Sequence, residues 1–524
     1  MQLHQIDFAN TKLFSDTFID YITGNDTLKD FYHQAPHIDN FAQQIALKKS
    51  FPKAHREALH QVLKTQYQHI DTAPQAQIDS LLNENTFTVT TGHQLNLFTG
   101  PLYFIYKIAS AINTAKVLKQ KYPDYHFVPV YWMATEDHDF EEINHFHLFG
   151  KTLTWQAEQT GAVGRFSLEG LEAIFEEIND APEIFRKAYL EQKSLADATR
   201  YLVNQLFAGS GLVVLDADDS ALKQVFQKVI KAEVLNPASH DIVTQTSQRL
   251  NELKYKTQVT PREINFFYLE GNIRQRIVHA EEGNNKDSFE VLNTELKFSR
   301  SEMEQMIENH PERFSPNVIL RPLYQEYILP NLSYIGGPSE LVYWLQLKGV
   351  FECYDTPFPM LQPRGFVLFV NKPSVKKFQK LNLSIDDLFL DEVTLRKNFV
   401  LKNSDNEITL EQETEGLTQL FERLVQKSQE VDKSLEGFIK SEKQKALKSL
   451  GNIEKRLKKS EERKMETEVN QLVKLKEKLF PNGSPQERYE NLLNFYINNL
   501  SFISQILEKL NPLDFRMNVL MEEL

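Results

Sequence analysis

One cysteine, Cys353, stands in a chain of 524 residues. No intrachain disulfide and no cysteine-based metal site can be built from it, and a lone thiol carries chemistry only where its surroundings stabilise the thiolate. Long apolar runs are missing too. No stretch approaches the roughly 20 residues that span a bilayer, and the N-terminal MQLHQIDFANTKLFSDTFIDY has neither the basic region nor the continuous apolar core of a signal peptide. The expected compartment is the cytoplasm, with no membrane partner. Positive charge is in deficit, 59 Lys and Arg against 72 Asp and Glu for a formal net charge of -13. Nonspecific nucleic-acid binding relies on lysine and arginine displacing counterions, so nucleic acid is not an expected partner. Neither a GxxxxGK[ST] loop nor a GxGxxG fingerprint occurs, which disfavours a P-loop NTPase and a standard dinucleotide dehydrogenase. HExxH is absent and His138, His145 and His147 lack a ligand spacing, so no protein-held metal is expected.

What is present is an ordinary globular composition, 41% hydrophobic and 25% charged, in a length that suggests two to four domains. Residues 1 to about 85 read mainly as helix. Phe87-Thr-Val-Thr is a strand candidate that ends at Gly92, and a helix pattern follows from Pro101. Phe127 to Met133, FVPVYWM, has the near-continuous apolar character of a strand buried on both faces. Strand, crossover helix and strand make a βαβ unit, and Gly211-Leu-Val-Val-Leu adds another strand before Asp216, Asp218 and Asp219. The fold class expected is α/β, a parallel-sheet core with connecting insertions at about 150–205 and 260–315. The second insertion includes Ile264-Asn-Phe-Phe-Tyr-Leu with a hairpin turn at Gly271-Asn272. From about Leu410 apolar residues recur at three-four spacing between dense charges, with no proline until Pro481. This predicts a long α-helical coiled-coil hairpin whose second arm is capped by Asp432. The resulting domains are 1–395 for the core, 396–510 for the coiled coil and 511–524 for a tail returning to the core.

In an open parallel sheet, ligands collect beyond the carboxyl ends of the strands. Thr91-Gly-His-Gln94 occupies such a position: Gly92 permits close backbone approach, while His93 and Gln94 supply donors and acceptors. Thr99-Gly-Pro-Leu-Tyr103 extends this crest, with Pro101 expected at the first helical position, amides near Thr99 and Gly100 aimed at an anion, and Lys107 a turn further in. The second constellation is Thr135-Glu-Asp-His-Asp139, followed by Glu141, Glu142 and His145. Its carboxylates and histidines suit binding an amine, proton transfer, or Mg²⁺ held through waters; a solvated loop and helix cap is the alternative. Asp216, Asp218 and Asp219 form a third edge, either ligand-binding or capping. Gly336-Gly337-Pro-Ser339-Glu340 is another glycine turn feeding a helix, and Arg321, Tyr324, Gln325 and Tyr334 nearby suit an acid or a sugar.

The order of TGHQLNLFTGPLYFIYK, VPVYWMATEDHDFEEINH, GLVVLDADD, YIGGPSELVYWLQL and LFPNGSPQER resembles one family over nearly the whole chain, the bacillithiol biosynthesis cysteine-adding enzymes (BshC). The resemblance implies a Rossmann-like core, a coiled coil that mediates homodimerisation, and ligation of L-cysteine to the amine of glucosaminyl-malate. Amide formation needs an activated carboxylate, and ATP, with Mg²⁺ accompanying the nucleotide, is the implied activator. Gly92-His93 echoes the second half of the HxGH signature of nucleotidylyltransferase-like cores, whereas Lys372-Pro-Ser-Val-Lys-Lys departs from KMSKS. On this reading His93, Asp137, His138 and Asp139 are the catalytic candidates. Gly92, Gln94, Thr99, Gly100, Tyr103, Lys107, Glu136, Gly336, Gly337 and Ser339 bind substrate or nucleotide. Two alternatives stay open: another adenylating or nucleotidyl-transferring enzyme, and a non-catalytic coiled-coil interaction protein.

Overall fold

The computed structural model describes residues 1–178, 180–280 and 288–524; residues 179 and 281–287, inside the two expected connecting segments, lie outside the described residues. The chain divides into two compact units, Gln5–Leu368 with Glu487–Asn518, and Met1–His4 with Phe369–Gln486 and Val519–Leu524.

The larger unit is organised by a five-stranded parallel sheet: β1 (Thr86–His93), β2 (His126–Met133), β3 (Val213–Asp216), β4 (Asn331–Gly336) and β5 (Met360–Pro363), in the order β5-β4-β1-β2-β3. β1 pairs with β2 from Thr86 against His126 to His93 against Met133. Its threonines are buried, and three of them are hydrogen-bonded: Thr88 and Thr90 donate to Asn331 Oδ1 at 3.2 and 2.9 Å, and Thr91 donates to the Ile335 carbonyl at 2.9 Å. β-Branched residues thus serve both the pleat and the polar satisfaction that burial demands. The crossover helix α1 (Tyr103–Lys121) is buried along most of its length. On one face of the sheet Phe87, Val89, Ala111, Leu118, Leu332 and Met360 close a core with Phe41 and Ile45 of the N-terminal helices; each of these side chains larger than alanine contributes about 1.5–3 kcal/mol by leaving water.

Chain order creates the site. From β1 the chain steps outward through β2 and β3, then returns to lay β4 on the other side of β1. The reversal opens a crevice between the carboxyl ends of β1 and β4, where open parallel sheets take ligands. Above that edge stands an antiparallel sheet with strands Phe266–Glu270, Ile273–His279, Ser288–Val291, Lys297–Ser299 and Phe314–Pro316. The hairpin turn falls at Gly271-Asn272, as the sequence predicts. Gly161, at φ +95°, lets a neighbouring loop meet that turn: a Cβ there would lie 2.9 Å from the Asn272 backbone.

The smaller unit is helical. α4 (Glu411–Val431) and α5 (Leu435–Lys464) form the expected hairpin, with Asp432 accepting from the Ser434 amide at 2.8 Å in the turn. The predicted continuous helix to Pro481 is interrupted at Met465, after which α6 (Glu466–Leu479) resumes. The helices Lys372–Lys380 and Glu392–Asn403 pack on α6, and Leu395, Phe399, Val400, Val469 and Leu472 share one core. Packing of these helices is why the compact units change at Leu368, where the sequence reading placed the boundary at 395. At the other end, the stretch up to 510 that the sequence assigns to the coiled coil holds two short helices, Leu493–Tyr496 and Phe502–Lys509. Asn113 of α1 donates to the carbonyls of Leu507 and Leu510 at 2.9 and 2.8 Å, so this stretch belongs to the parallel-sheet unit.

Candidate functional site

A cavity of about 700 Å³ lies over the carboxyl ends of β1, β2 and β4. It brings together Gly92, His93, Gln94, Tyr103, Lys107, Glu136, Asp137, His138, Gly337 and Ser339, ten of the positions the sequence singles out. Gly336, Thr99, Gly100 and Asp139 do not line it.

The crest is built from below. Lys107, one turn into α1 and sealed from solvent, donates to the Gly92 carbonyl at 2.5 Å and to both carboxylate oxygens of Glu340 at 2.9 and 2.7 Å. Glu340 also accepts from the Tyr334 hydroxyl at 2.7 Å and the Gly337 amide at 2.6 Å. Burial acts to raise the Glu340 pKa, but the Lys107 ammonium and these donors outweigh it and hold it down to about 2. Lys107 is pulled down from its ordinary value by burial, against the pull of Glu340. Lys107 is therefore a strut tying the end of β1 to the helix α3 (Pro338–Trp344), not a free cation for substrate. The amide of Gly337, a residue expected to bind substrate or nucleotide, is taken by Glu340 inside α3 itself.

His93 sits with its ring 5.2 Å from both Tyr103 and Phe104, and its Nε2 is buried without a hydrogen-bond partner among the described residues. Burial first, then the Lys107 charge, pushes its pKa down to about 3. A neutral imidazole at the cavity wall reads a ligand by hydrogen bonding; it does not shuttle protons near neutral pH.

The TGP turn is a correction. Phe98 and Thr99 take φ of 51° and 72°, and Gly100 follows at 58°. The amides here are consumed: Phe98 donates to the Tyr189 hydroxyl at 2.7 Å, Gly100 to the Leu97 carbonyl at 2.9 Å and Leu102 to the Glu490 carbonyl at 2.9 Å. Asn491 Nδ2 spans the Phe98 and Gly100 carbonyls at 2.9 and 2.8 Å. The helix begins at Tyr103, two residues after Pro101. Thr99 and Gly100 shape the turn outside the cavity lining, and the Gly100 amide is already bonded.

The acidic loop forms the opposite side. Thr135 donates to Asp216 at 2.5 Å, and loop 163–164 pairs with it through Val163 N to Asp137 O at 2.7 Å and Gly164 N to Thr135 O at 2.9 Å. Glu136 is ion-paired with the fully buried Lys223, which also donates to the Phe314 carbonyl at 2.8 Å. Burial raises the Glu136 pKa despite that ammonium. Asp137 goes the other way: burial would raise it, but Arg274 and Arg321 keep it below the usual carboxylate range. Gln94 Nε2 joins Glu142 at 2.5 Å to Asp137 at 3.4 Å. Arg274 Nη1 meets His138 Nδ1 at 2.6 Å. Asp139, expected to be catalytic, accepts from the Glu142 amide at 3.3 Å as the cap of a short helix. The third acidic edge is likewise consumed, Asp218 by Arg165 at 2.8 and 2.9 Å and Asp219 by the first amides of α2 (Ser220–Leu235). Cys353 lies outside the cavity, and burial followed by Glu233 raises its pKa, the opposite of an activated thiol.

Guanidinium groups are what the sequence reading largely passed over. Arg262, Arg274, Arg276, Arg321, Arg364 and Arg488 all line the cavity. Arg364 is neutralised by Glu487 at 2.9 and 2.6 Å, both side chains buried. Arg276 has a buried Nε with no partner among the described residues. The signal was available: in the strand Ile273–His279, Arg274 and Arg276 are two apart and so share a face. Only Arg321 stood out beforehand, from its neighbourhood to GGPSE. Among the described residues no group of three or more histidines, cysteines or carboxylates is arranged to hold a metal ion, and no helix is long and apolar enough to cross a membrane.

Comparison with known proteins now bears on this site. Residues 1–365 match the family model for the bacillithiol biosynthesis BshC N-terminal Rossmann-like domain, and residues 367–522 that for the BshC C-terminal coiled-coil domain. The chain is 44% identical to a Flavobacterium johnsoniae protein named "Putative cysteine ligase BshC", over 98% of this chain and 99% of that protein. Proteins of the same name from Christiangramia forsetii, 43% identical over 99% of each chain, and Salinibacter ruber, 30% identical over 95% and 94%, extend the likeness. With both domain models matched and relatives covered end to end, the chain belongs to the BshC family of bacillithiol biosynthesis, the family of the cysteine ligases just named.

Proposed function

We propose that the cavity joins the carboxyl group of L-cysteine to the amine of glucosaminyl-malate, completing bacillithiol in the cytoplasm, with the carboxyl activated at the expense of ATP. The observation that carries this reading is the division of one cavity between guanidinium groups and a carboxylate loop. Arg262, Arg276 and Arg321 suit oxygen anions, whether malate carboxylates or nucleotide phosphates, because a guanidinium offers a planar fork of donors. The unpartnered Nε of Arg276 is a donor that a bound anion would satisfy. Mg²⁺ would travel on the nucleotide's phosphates. Across the cavity Asp137, kept ionised by Arg274 and Arg321, holds an ammonium by charge, and Gln94 aligns it with Glu142.

Amide formation bonds the substrate nitrogen to the acyl carbon and expels the activated oxygen; an ammonium bound at Asp137 gives up one proton to become the nucleophile and a second as the amide forms. The Asp137 and Glu142 carboxylates are the acceptors placed for these protons. His93 supplies a neutral hydrogen-bonding atom on the β1 side. In the smaller unit, Leu420, Leu424, Val431, Phe438, Ile453 and Leu457 remain exposed on the hairpin, which supports homodimerisation through the coiled coil. The test is direct: purified protein is given cysteine, glucosaminyl-malate and ATP, and bacillithiol is measured by mass spectrometry alongside nucleotide turnover. Thiol formation dependent on all three is expected. No product, together with normal bacillithiol in cells lacking the gene, would overturn the proposal.

A further inference from the structure

His138 faces the cavity from a loop that is otherwise pinned, and the group nearest its Nδ1 is one that can only donate, with the acceptor Asp137 Oδ1 farther off at 3.7 Å. Arginine has five N–H donors and no acceptor, and it keeps its proton in proteins. Its Nη1 lies 2.6 Å from His138 Nδ1. A hydrogen on Nδ1 would oppose a guanidinium hydrogen at that distance, so Nδ1 must present its lone pair. In a neutral imidazole the remaining proton is then on Nε2.

Arg274 is not free to turn away. Its Nε donates to Ser315 at 3.2 Å, its guanidinium lies 4.1 Å from the centre of the Phe267 ring, and the residue is 8% exposed. His138 itself packs 5.6 Å from that ring. The charged groups that face His138 are Arg274 from the strand Ile273–His279 and, from its own loop, Asp137 and Asp139. Burial and Arg274 outweigh the two carboxylates and lower its pKa. Nε2 makes no hydrogen bond among the described residues, and the side chain is 46% exposed where it borders the cavity.

We propose that Arg274 is a positioning residue that fixes His138 as a neutral Nε2–H donor, so that His138 offers a hydrogen bond to a substrate oxygen and does not take the proton of the attacking amine. The inference rests on the ligase reading for what the oxygen belongs to, but its core, the tautomer and its cause, is a property of the protein without substrate. It replaces the sequence expectation of His138 as a proton-transfer residue and leaves that work to the carboxylates.

Imidazole ¹⁵N spectra of the full chain labelled in histidine, with His138 identified by its loss in His138→Gln, read the tautomer. The expected result is a protonated Nε2, a bare Nδ1, and titration below the ordinary histidine range. In Arg274→Gln the His138 titration moves up and the second tautomer becomes populated. A protonated Nδ1, or ordinary titration in the wild type, overturns the proposal whatever the enzyme's substrate proves to be. Activity supplies the second arm. His138→Ala is expected to lose about a hundredfold or more in kcat/KM, the scale for one donor to developing charge, while His138→Gln, which keeps a neutral N–H near Nε2, stays within about tenfold of wild type. Equal loss in both variants, with the low-pH limb of the pH profile abolished, would mark His138 as a base and refute the donor role. No product in any variant with the Nε2–H tautomer intact would instead refute the ligase reading alone.

Discussion

Replacing Lys107 by methionine keeps the buried stem of the side chain and deletes the charge that joins Gly92 to Glu340. The carboxylate is left with the Tyr334 hydroxyl and the Gly337 amide, and the Gly92 carbonyl loses its donor. Removing one partner of a buried ion pair costs about 3–5 kcal/mol. A second route gives the same order. Glu340 sits at about 2 against an ordinary 4.5, and at about 1.4 kcal/mol per pH unit that is about 3 kcal/mol of native-state preference. Two effects pull toward the low end: burial of the Lys107 ammonium returns part of the gain, and the Glu340 side chain is 27% exposed, so water screens some of it. Because the folded pKa of Glu340 lies below its unfolded value, the stabilisation is complete above about pH 4.5 and disappears as pH falls toward 2. The assay is urea unfolding followed by tryptophan fluorescence. All three tryptophans, Trp132, Trp155 and Trp344, are buried in the parallel-sheet unit, so the signal reports on that unit without the coiled coil. Lys107→Met is expected to lose about 3 kcal/mol at pH 7, with the gap to wild type narrowing between pH 5 and 3. Lys107→Met/Glu340→Gln should recover about 2 kcal/mol relative to the sum of the single changes. A loss below about 1 kcal/mol, the range of surface pairs, or strict additivity would refute the strut.

Three further outcomes are expected. Arg276→Ala and Arg321→Ala should each raise KM for the anionic substrate by about tenfold or more, the worth of a charge-assisted hydrogen bond, with the fold intact by circular dichroism; unchanged KM in both would remove the guanidinium wall from recognition. Asp216 is raised by burial despite Arg200, so its contribution is fully present below the unfolded carboxyl range and is lost as pH rises through the folded value. Asp216→Asn should therefore gain stability relative to wild type between pH 4 and 8, and a parallel pair of stability curves would contradict that. Phe438, 64% exposed on α5, is placed to pack in the proposed homodimer; Phe438→Asp should shift sedimentation from dimer to monomer, and a dimer that persists would exclude this face.

The crest and the acidic loop were legible because each follows a strand with a strong local signature. β-Branched residues ending at Gly92 and the apolar FVPVYWM run both point to strand ends, and strand ends in a parallel sheet point to a shared edge. The TGP turn misled for the opposite reason. The Phe98 amide is taken by Tyr189 and the Leu102 amide by the Glu490 carbonyl, while Asn491 pins the Phe98 and Gly100 carbonyls from nearly four hundred positions along the chain; no local pattern encodes these partners. Likewise a lysine seven residues after an imagined anion cradle reads as a ligand until Glu340 is seen to accept from it. Arg274 and Arg276 left a period-two trace on one strand, but nothing in that strand tells which face meets a cavity.

Thus the local chain by itself determined the strand–helix alternation, the hairpin of long helices and the position of Gly92, His93 and the Glu136–Asp137–His138 loop at strand ends, because propensity and apolar periodicity act over a few residues. The order in which the strands pair, the carboxylate that consumes Lys107, the docking of the TGP turn against Tyr189 and Asn491, and the gathering of six arginines over one crevice were decided only in the tertiary structure. Charge and hydrogen bonding act through space, so whether a polar side chain is a strut, a cap or an open donor is set by what folding brings within about 3 Å of it.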